Sequence, residues 1–218
     1  VAGTAREAGP VLQGRRVYLR WPQPGDHPAW ARLRERSRDF LVPWEPAWPP
    51  DALSLPAFAR RLRAHREDSR RGTGYMFLVF RTRDDVLLGG VTVSQLRRGA
   101  GASAEIGYWL GREHGGQGYM TEALQALLPH AFRTLSLNRL EAACLPDNLR
   151  SKAVLARLGF QQEGLARSYL RINGRWRDHE RHALLARDWE AGAGRPAALP
   201  QDRSGEQQAA GRNGPVLK

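Results

Sequence analysis

Gly115, Gly116 and Gly118 stand where a strand pattern gives way to a helix pattern, a placement suited to holding an anion. Ile106, Tyr108 and Leu110 alternate with Glu105, Gly107 and Trp109, the period of two expected of a strand with two distinct faces. From Met120 the period becomes helical, with Leu124, Leu127, Leu128 and Ala131 following. The spacing puts the glycines at the first turn of that helix, where unpaired N–H groups point outward. Glycine lets the backbone approach a phosphate closely and the helix dipole adds favourable charge, so a pyrophosphate could be held without lysine. No Gly-Lys-Ser/Thr follows, which argues against a Walker A loop, and a dinucleotide fingerprint would need a third glycine and a later ribose-binding acid. Taken alone, the same glycines also suit a merely structural strand-to-helix turn.

Ser151 is the second group with chemical potential. Asn148 to Phe160 reads as a short helix with Asn148 as N-cap and Gly159 as its stop. Ser151 shares the apolar stripe of Val154, Leu155 and Leu158, so its hydroxyl faces the core or a cleft. It either bonds a carbonyl one turn back or serves a site.

The order of parts carries more than either cluster. Glu105-Ile-Gly-Tyr108, Gly116-Gln-Gly118, a strand over Arg139 to Leu145, Asn148-x-x-Ser151 and Gly159-Phe160 together resemble the GNAT acyl-CoA N-acyltransferases, from about Val11 to Trp189. Leu41-Val-Pro-Trp-Glu-Pro46 and Tyr169 to His179 narrow the similarity to the RimJ/RimL group of ribosomal-protein-alanine N-acetyltransferases. The implied fold is α+β: a central, mostly antiparallel twisted sheet of six to seven strands, splayed between strands 4 and 5 and flanked by about four helices. The implied activity is acetyl transfer from acetyl-CoA to a primary amine by direct attack in a ternary complex. The nominal acceptor is the N-terminal α-amine of a protein such as a ribosomal protein, with ribosome association a further implication. Alternatives are a small amine (polyamine, amino acid or aminoglycoside) or a non-catalytic coenzyme A- or RNA-binding module.

By this resemblance, Gly115, Gly116, Gln117, Gly118 and Tyr119 hold the pyrophosphate, Leu110 and Asn148 meet the pantetheine arm, and an N–H near Leu110 meets the thioester oxygen. Trp44, Glu45 and Tyr108 are the expected acceptor-cleft residues. One departure stands out: where the family often has Gln or Arg ahead of the glycines, this chain has Glu113, which cannot donate to phosphate and shifts that work to Arg112, His114 and the amides. A lone histidine in that loop is otherwise a solvated residue. Glu105, mid-strand beside Trp109, is the expected general base, directly or through water, unless an arginine makes it a structural ion pair. Ser151 is the expected acid for the departing thiolate. Asp178 and His179, adjacent on a strand, point to opposite faces and cannot form a direct dyad.

These groups need a scaffold, and a chain of 218 residues with seven tryptophans is ample for one domain. The expected division is a flexible segment over residues 1–10, a catalytic domain over 11–190, and a disordered tail over 191–218 rich in Gly, Ala, Pro, Gln and Arg. Strands are expected over Val11 to Trp21, Tyr75 to Arg81, Val86 to Leu96, and around an Asn173-Gly174 hairpin turn. Asp26 is expected to cap a helix through Arg36 with Trp30 and Leu33 inward, and a second helix to run from near Asp51 to about Arg71, carrying Leu55, Phe58, Leu62 and the arginine face. Cys144 is the only cysteine, which excludes an intrachain disulfide and leaves it a packing role on one face with Leu140 and Ala142. No metal is expected, since histidines and acids show no ligand spacing. Neither a membrane span nor a signal segment is evident, so the expected location is cytoplasmic and the expected state monomer or homodimer. The formal net charge is +12, and all 34 basic residues but Lys152 and Lys218 are arginine. Arg60, Arg61, Arg63, Arg66, Arg70 and Arg71 would suit phosphate but also a solvated helix face, and nucleic acid is not the expected substrate.

Overall fold

The computed structural model describes residues 9–192; the expectations for residues 1–8 and 193–218 lie outside them. Eight strands form one sheet: β1 (Leu12–Gln13), β2 (Val17–Arg20), β3 (Tyr75–Arg81), β4 (Leu87–Arg97), β5 (Ser103–Leu110), β6 (Arg139–Cys144), β7 (Gln161–Ile172) and β8 (Arg175–Leu185), in spatial order β1-β2-β3-β4-β5-β6-β8-β7. The helices are α1 (His27–Arg36), α2 (Arg38–Leu41), α3 (Leu55–Arg71), α4 (Tyr119–Pro129), α5 (Leu149–Arg157) and α6 (Ala186–Glu190).

The apolar run of β3 explains the layering. Successive side chains of a strand point to opposite faces, and here Phe77 and Val79 join one core cluster while Leu78 and Phe80 join another. The first cluster packs the sheet against α4, whose Ala123, Leu124 and Leu127 are fully buried, and against Leu155 and Leu158 at α5. The second takes Trp30 and Leu33 of α1 and Phe58 and Leu62 of α3. A strand covered on both faces reads as continuous hydrophobicity, as this one does.

Among the described residues only β5 and β6 run parallel, pairing over Ser103–Glu105 against Arg139–Glu141. Parallel neighbours need a crossover, which α4 provides. Past Glu105 and Glu141 the two strands part; the splay expected between strands 4 and 5 of six to seven falls between β5 and β6 of eight, since the expected first strand is divided into β1 and β2.

Several local expectations change. The first strand is two: Gly14 N–H donates to the Val17 carbonyl at 2.8 Å, closing a tight turn between β1 and β2. Asp26 does not cap α1 through its side chain; its carboxylate takes both terminal nitrogens of Arg20, at 2.7 and 2.8 Å. The second helix starts at Leu55 because Ser54 caps it, accepting from Ala57 N–H at 3.2 Å, and Leu55 is exposed. The six arginines of the α3 region are exposed, and Arg70 and Arg71 both pair with Glu67. At the hairpin, Asn173 (φ 42°) and Gly174 (φ 80°) take the left-handed conformation that the Asn-Gly pair favours. Among the described residues no helix is long and apolar enough to cross a membrane.

Candidate active site

The parted strands wall a cavity of about 1110 Å³. Ile106 to Leu110 of β5 line one side, and Ala142 to Cys144 of β6 with Leu145 line the other. α5 contributes Ser151, Val154 and Arg157; the glycine turn, the start of α4, and Phe40, Leu41, Trp44 and Glu45 complete the lining.

Gly116 (φ 75°) and Gly118 (φ 79°) hold the chain in the left-handed region, and Gly118 is the N-cap of α4. That geometry turns the first amides of α4 toward the cavity end lined by Gly115, Gly116, Gly118 and Tyr119. Arg15 and Arg16 line the same end, brought there by the β1–β2 turn; Arg16 pairs with Glu122 at 2.8 Å and donates to the Gln117 carbonyl at 3.2 Å. Arg150 and Arg157 add charge from α5. A polyanion longer than one phosphate fits this donor set.

Three expected contacts of this end are absent from its lining. Arg112 lies outside, its guanidinium 5.9 Å from the Phe40 ring and its N–H donating to Ser37 Oγ at 3.0 Å. Gln117 turns its amide back to the Glu113 carbonyl at 3.0 Å. His114 is not a solvated loop residue: it is 7% exposed, burial lowers its pKa, and Nε2 lies 3.4 Å from a Glu113 carboxylate oxygen. Glu113 itself pairs with Arg36 at 2.9 Å.

Midway along the cavity, Tyr108 and Ser151 meet. Their hydroxyl oxygens are 2.8 Å apart, and Asn148 fixes the helix that presents Ser151 by accepting from its N–H at 3.1 Å. An unpaired phenol buried there would cost about 1–3 kcal/mol, so the pair is mutually stabilising. Burial pushes the Tyr108 pKa well up, keeping it a neutral donor. Cys144 lies beside them, buried in the cavity wall, its thiol pushed up by burial to about 11 and therefore protonated. Cys144, Glu180 and His182 bring donor atoms within 4.8 Å of one another, but Lys152 already supplies Glu180 with a cation at 2.8 Å.

Glu105 is not among the residues that line this cavity. Its carboxylate is shared by Gln95 Nε2 at 3.2 Å, the Tyr169 hydroxyl at 3.3 Å and Arg181 at 3.5 Å, and Arg181 also pairs with Glu141. Two bulges build this. Gln95 (φ 50°) lies in the β4 register shift and is re-aimed at Glu105, and Ser168 (φ 46°) lies in the β7 shift that brings Tyr169 inward. Glu105 thus has the arginine partner that the ion-pair alternative required.

The acceptor end depends on long-range contacts. The hairpin tip reaches the Pro43–Trp48 segment, where Asn173 N–H donates to the Glu45 carbonyl at 3.0 Å. Glu45 is held by Arg34 and by Trp48 Nε1 at 2.7 Å. Sequence reading missed Arg15, Arg16, Phe40, Arg157 and His179 as lining residues. None carries a local pattern that separates it from an ordinary surface or strand residue.

The acetyltransferase (GNAT) domain family matches residues 16–161. The chain is 36% identical over 180 residues to the probable N-acetyltransferase YjcK of Bacillus subtilis, covering 83% of this chain and 99% of that one. It is 36% identical over 169 residues to the ribosomal protein uS5-alanine N-acetyltransferase of Escherichia coli, covering 77% and 87% respectively. Among solved structures, Mycobacterium smegmatis RimJ in complex with CoA-disulfide superposes with a TM-score of 0.74 at 34% identity, covering 85% of this chain and 94% of that one.

Proposed function

This chain belongs to the GNAT acetyltransferase family, and we propose that it moves an acetyl group from acetyl-CoA to the α-amine at the N-terminus of a protein, with a ribosomal protein as the nominal target. The observation that carries the proposal is the single cavity running from the glycine turn, past the Tyr108–Ser151 pair, to the Phe40–Glu45 segment. A relative that modifies ribosomal protein uS5 supports the acceptor class, and a CoA-bound neighbour supports the co-substrate.

Bound acetyl-CoA would supply the activated acyl group and a thiolate leaving group. Gly115, Gly116, Gly118 and Tyr119, with Arg15 and Arg16, would hold its phosphates, leaving Arg112, Gln117 and His114 with structural roles at the turn. A backbone N–H at the Leu110 end of β5 would stabilise the developing oxyanion. Ser151, hydrogen-bonded to Tyr108, would protonate the departing sulfur. Trp44, Glu45 and Tyr108 would line the acceptor's approach. Residues 11–190 would act as one catalytic domain, and a ribosomal target would place it in the cytoplasm.

A polycationic acceptor fits less well. Among the described residues the carboxylates lining the cavity are Glu45 and Glu122, and arginine already engages both. A peptide with one amine needs no such acid. Incubation with acetyl-CoA and a panel of peptides with varied N-termini, alongside polyamines, amino acids and an aminoglycoside, tests this by mass spectrometry. Acetylation of a peptide α-amine is expected; turnover confined to the small amines would overturn the proposed acceptor.

A further inference from the structure

The geometry points to His179 as the general base that takes the proton from the acceptor amine. This inference rests on the proposed transferase activity and gives a catalytic role to a residue that ends the Tyr169 to His179 motif but received no role from it. His179 lines the cavity and is 3% exposed. Its Nδ1 lies 3.0 Å from the Arg177 carbonyl oxygen. A carbonyl only accepts, so Nδ1 carries the proton and Nε2 keeps its lone pair. The neighbouring carboxylate does not perturb this tautomer, because Asp178 turns away and accepts from Ser168 N–H at 2.8 Å. The Tyr169 ring packs edge-on against the imidazole at 5.7 Å, fixing its plane. Glu105, by contrast, is outside the lining and shared among Arg181, Tyr169 and Gln95.

Burial holds the imidazole below its ordinary pKa of 6.5, so it is neutral and basic at pH 7. The charged and titratable groups around it are Tyr169 on β7 and Arg177, Asp178 and Arg181 on β8; Glu45, Tyr108 and Cys144 share its cavity. As the amine nitrogen bonds the acetyl carbon and the carbon–sulfur bond breaks, one proton passes from nitrogen to Nε2. One proton passes from the Ser151 hydroxyl to sulfur, and both sites re-equilibrate with solvent after release.

His179→Asn is the discriminating variant, because its amide can still donate to the Arg177 carbonyl while Nε2 is gone. We expect kcat to fall on the order of a hundredfold or more, the acid limb of its pH profile to disappear, and the dissociation constant for acetyl-CoA to stay within a few-fold. His179→Ala should regain activity with added imidazole. In the unaltered protein, nitrogen NMR at pH 7 should show Nδ1 protonated and Nε2 bare, a readout independent of turnover. A protonated Nε2, or wild-type kcat and pH dependence in His179→Asn, would overturn the assignment alone. If His179→Asn does not fold, the imidazole response of His179→Ala and the NMR tautomer decide in its place. No acetylation of any amine by the unaltered protein would overturn the transferase reading and this assignment together.

Discussion

The two ends of the cavity are built from different materials. The glycine-turn end is mostly backbone, and its main parts are adjacent in the chain, from Leu110 through Gly118 to Tyr119. The acceptor end is mostly side chains gathered from Trp44, Glu45 and His179, joined by the Asn173–Glu45 contact. A site made of main-chain amides is fixed by local conformation and signalled by glycines. A site made of side chains from distant segments depends on which strands become neighbours, and no short stretch announces it.

If the glycine end works through backbone geometry, Gly118→Val should have the largest effect on binding. A branched residue at φ 79° is strained, and strain of about 1–3 kcal/mol with a blocked approach should weaken acetyl-CoA by roughly a hundredfold in calorimetry. Unchanged affinity in a folded variant would dissolve the distinction between the two ends.

At the cavity's middle, Ser151→Ala should lower kcat about ten- to a hundredfold with acetyl-CoA affinity nearly constant, as for one hydrogen bond to the departing sulfur. A matching loss of affinity, measured by the same calorimetry, would move Ser151 from chemistry to cofactor binding.

Glu105→Gln sharpens the acceptor side. The amide oxygen can keep accepting from Tyr169, Gln95 can turn its own amide so that its oxygen accepts from the new NH2, and the charge opposite Arg181 is lost. We expect kcat to fall less than about tenfold, with the acid limb retained. A loss of two decades with a flattened acid limb would return the base to Glu105 and remove it from His179.

The smallest effect should treat both ends alike. His114 near the glycine turn and His179 at the acceptor end, together with His65, His130 and His182, are all held below the ordinary histidine pKa by burial. Below about pH 6.5 the unfolded chain takes up protons that the folded chain refuses, so stability falls with falling pH until the folded values are passed. Calorimetry should show a melting temperature several degrees lower at pH 5.5 than at pH 7.5; a flat profile would mean that these rings are hydrated.

Much of the architecture was legible in the sequence. The period-two run before the glycines became β5, the period-3.6 run after them became α4, Asn148 caps α5, and Asn173-Gly174 turns the hairpin. These succeed because each rests on a few neighbouring residues whose backbone preferences agree. The misreadings share the opposite cause. Asp26 was drawn from capping by Arg20 and His114 into the interior, each by contacts chosen only when the chain folds.

By itself, then, the order of residues determined the strand-glycine-helix cradle and the serine that follows it, since dihedral preference and hydrophobic period are local properties of the chain. Only the tertiary structure decided that β5 and β6 part after Glu105 and Glu141, that Arg15 and Arg16 join the cavity end at the glycine turn, and that His179 joins the cavity lining. Strand register and bulges set those positions, and both arise from pairing between segments separated by tens of residues, where a shift of one residue sends a side chain to the other face.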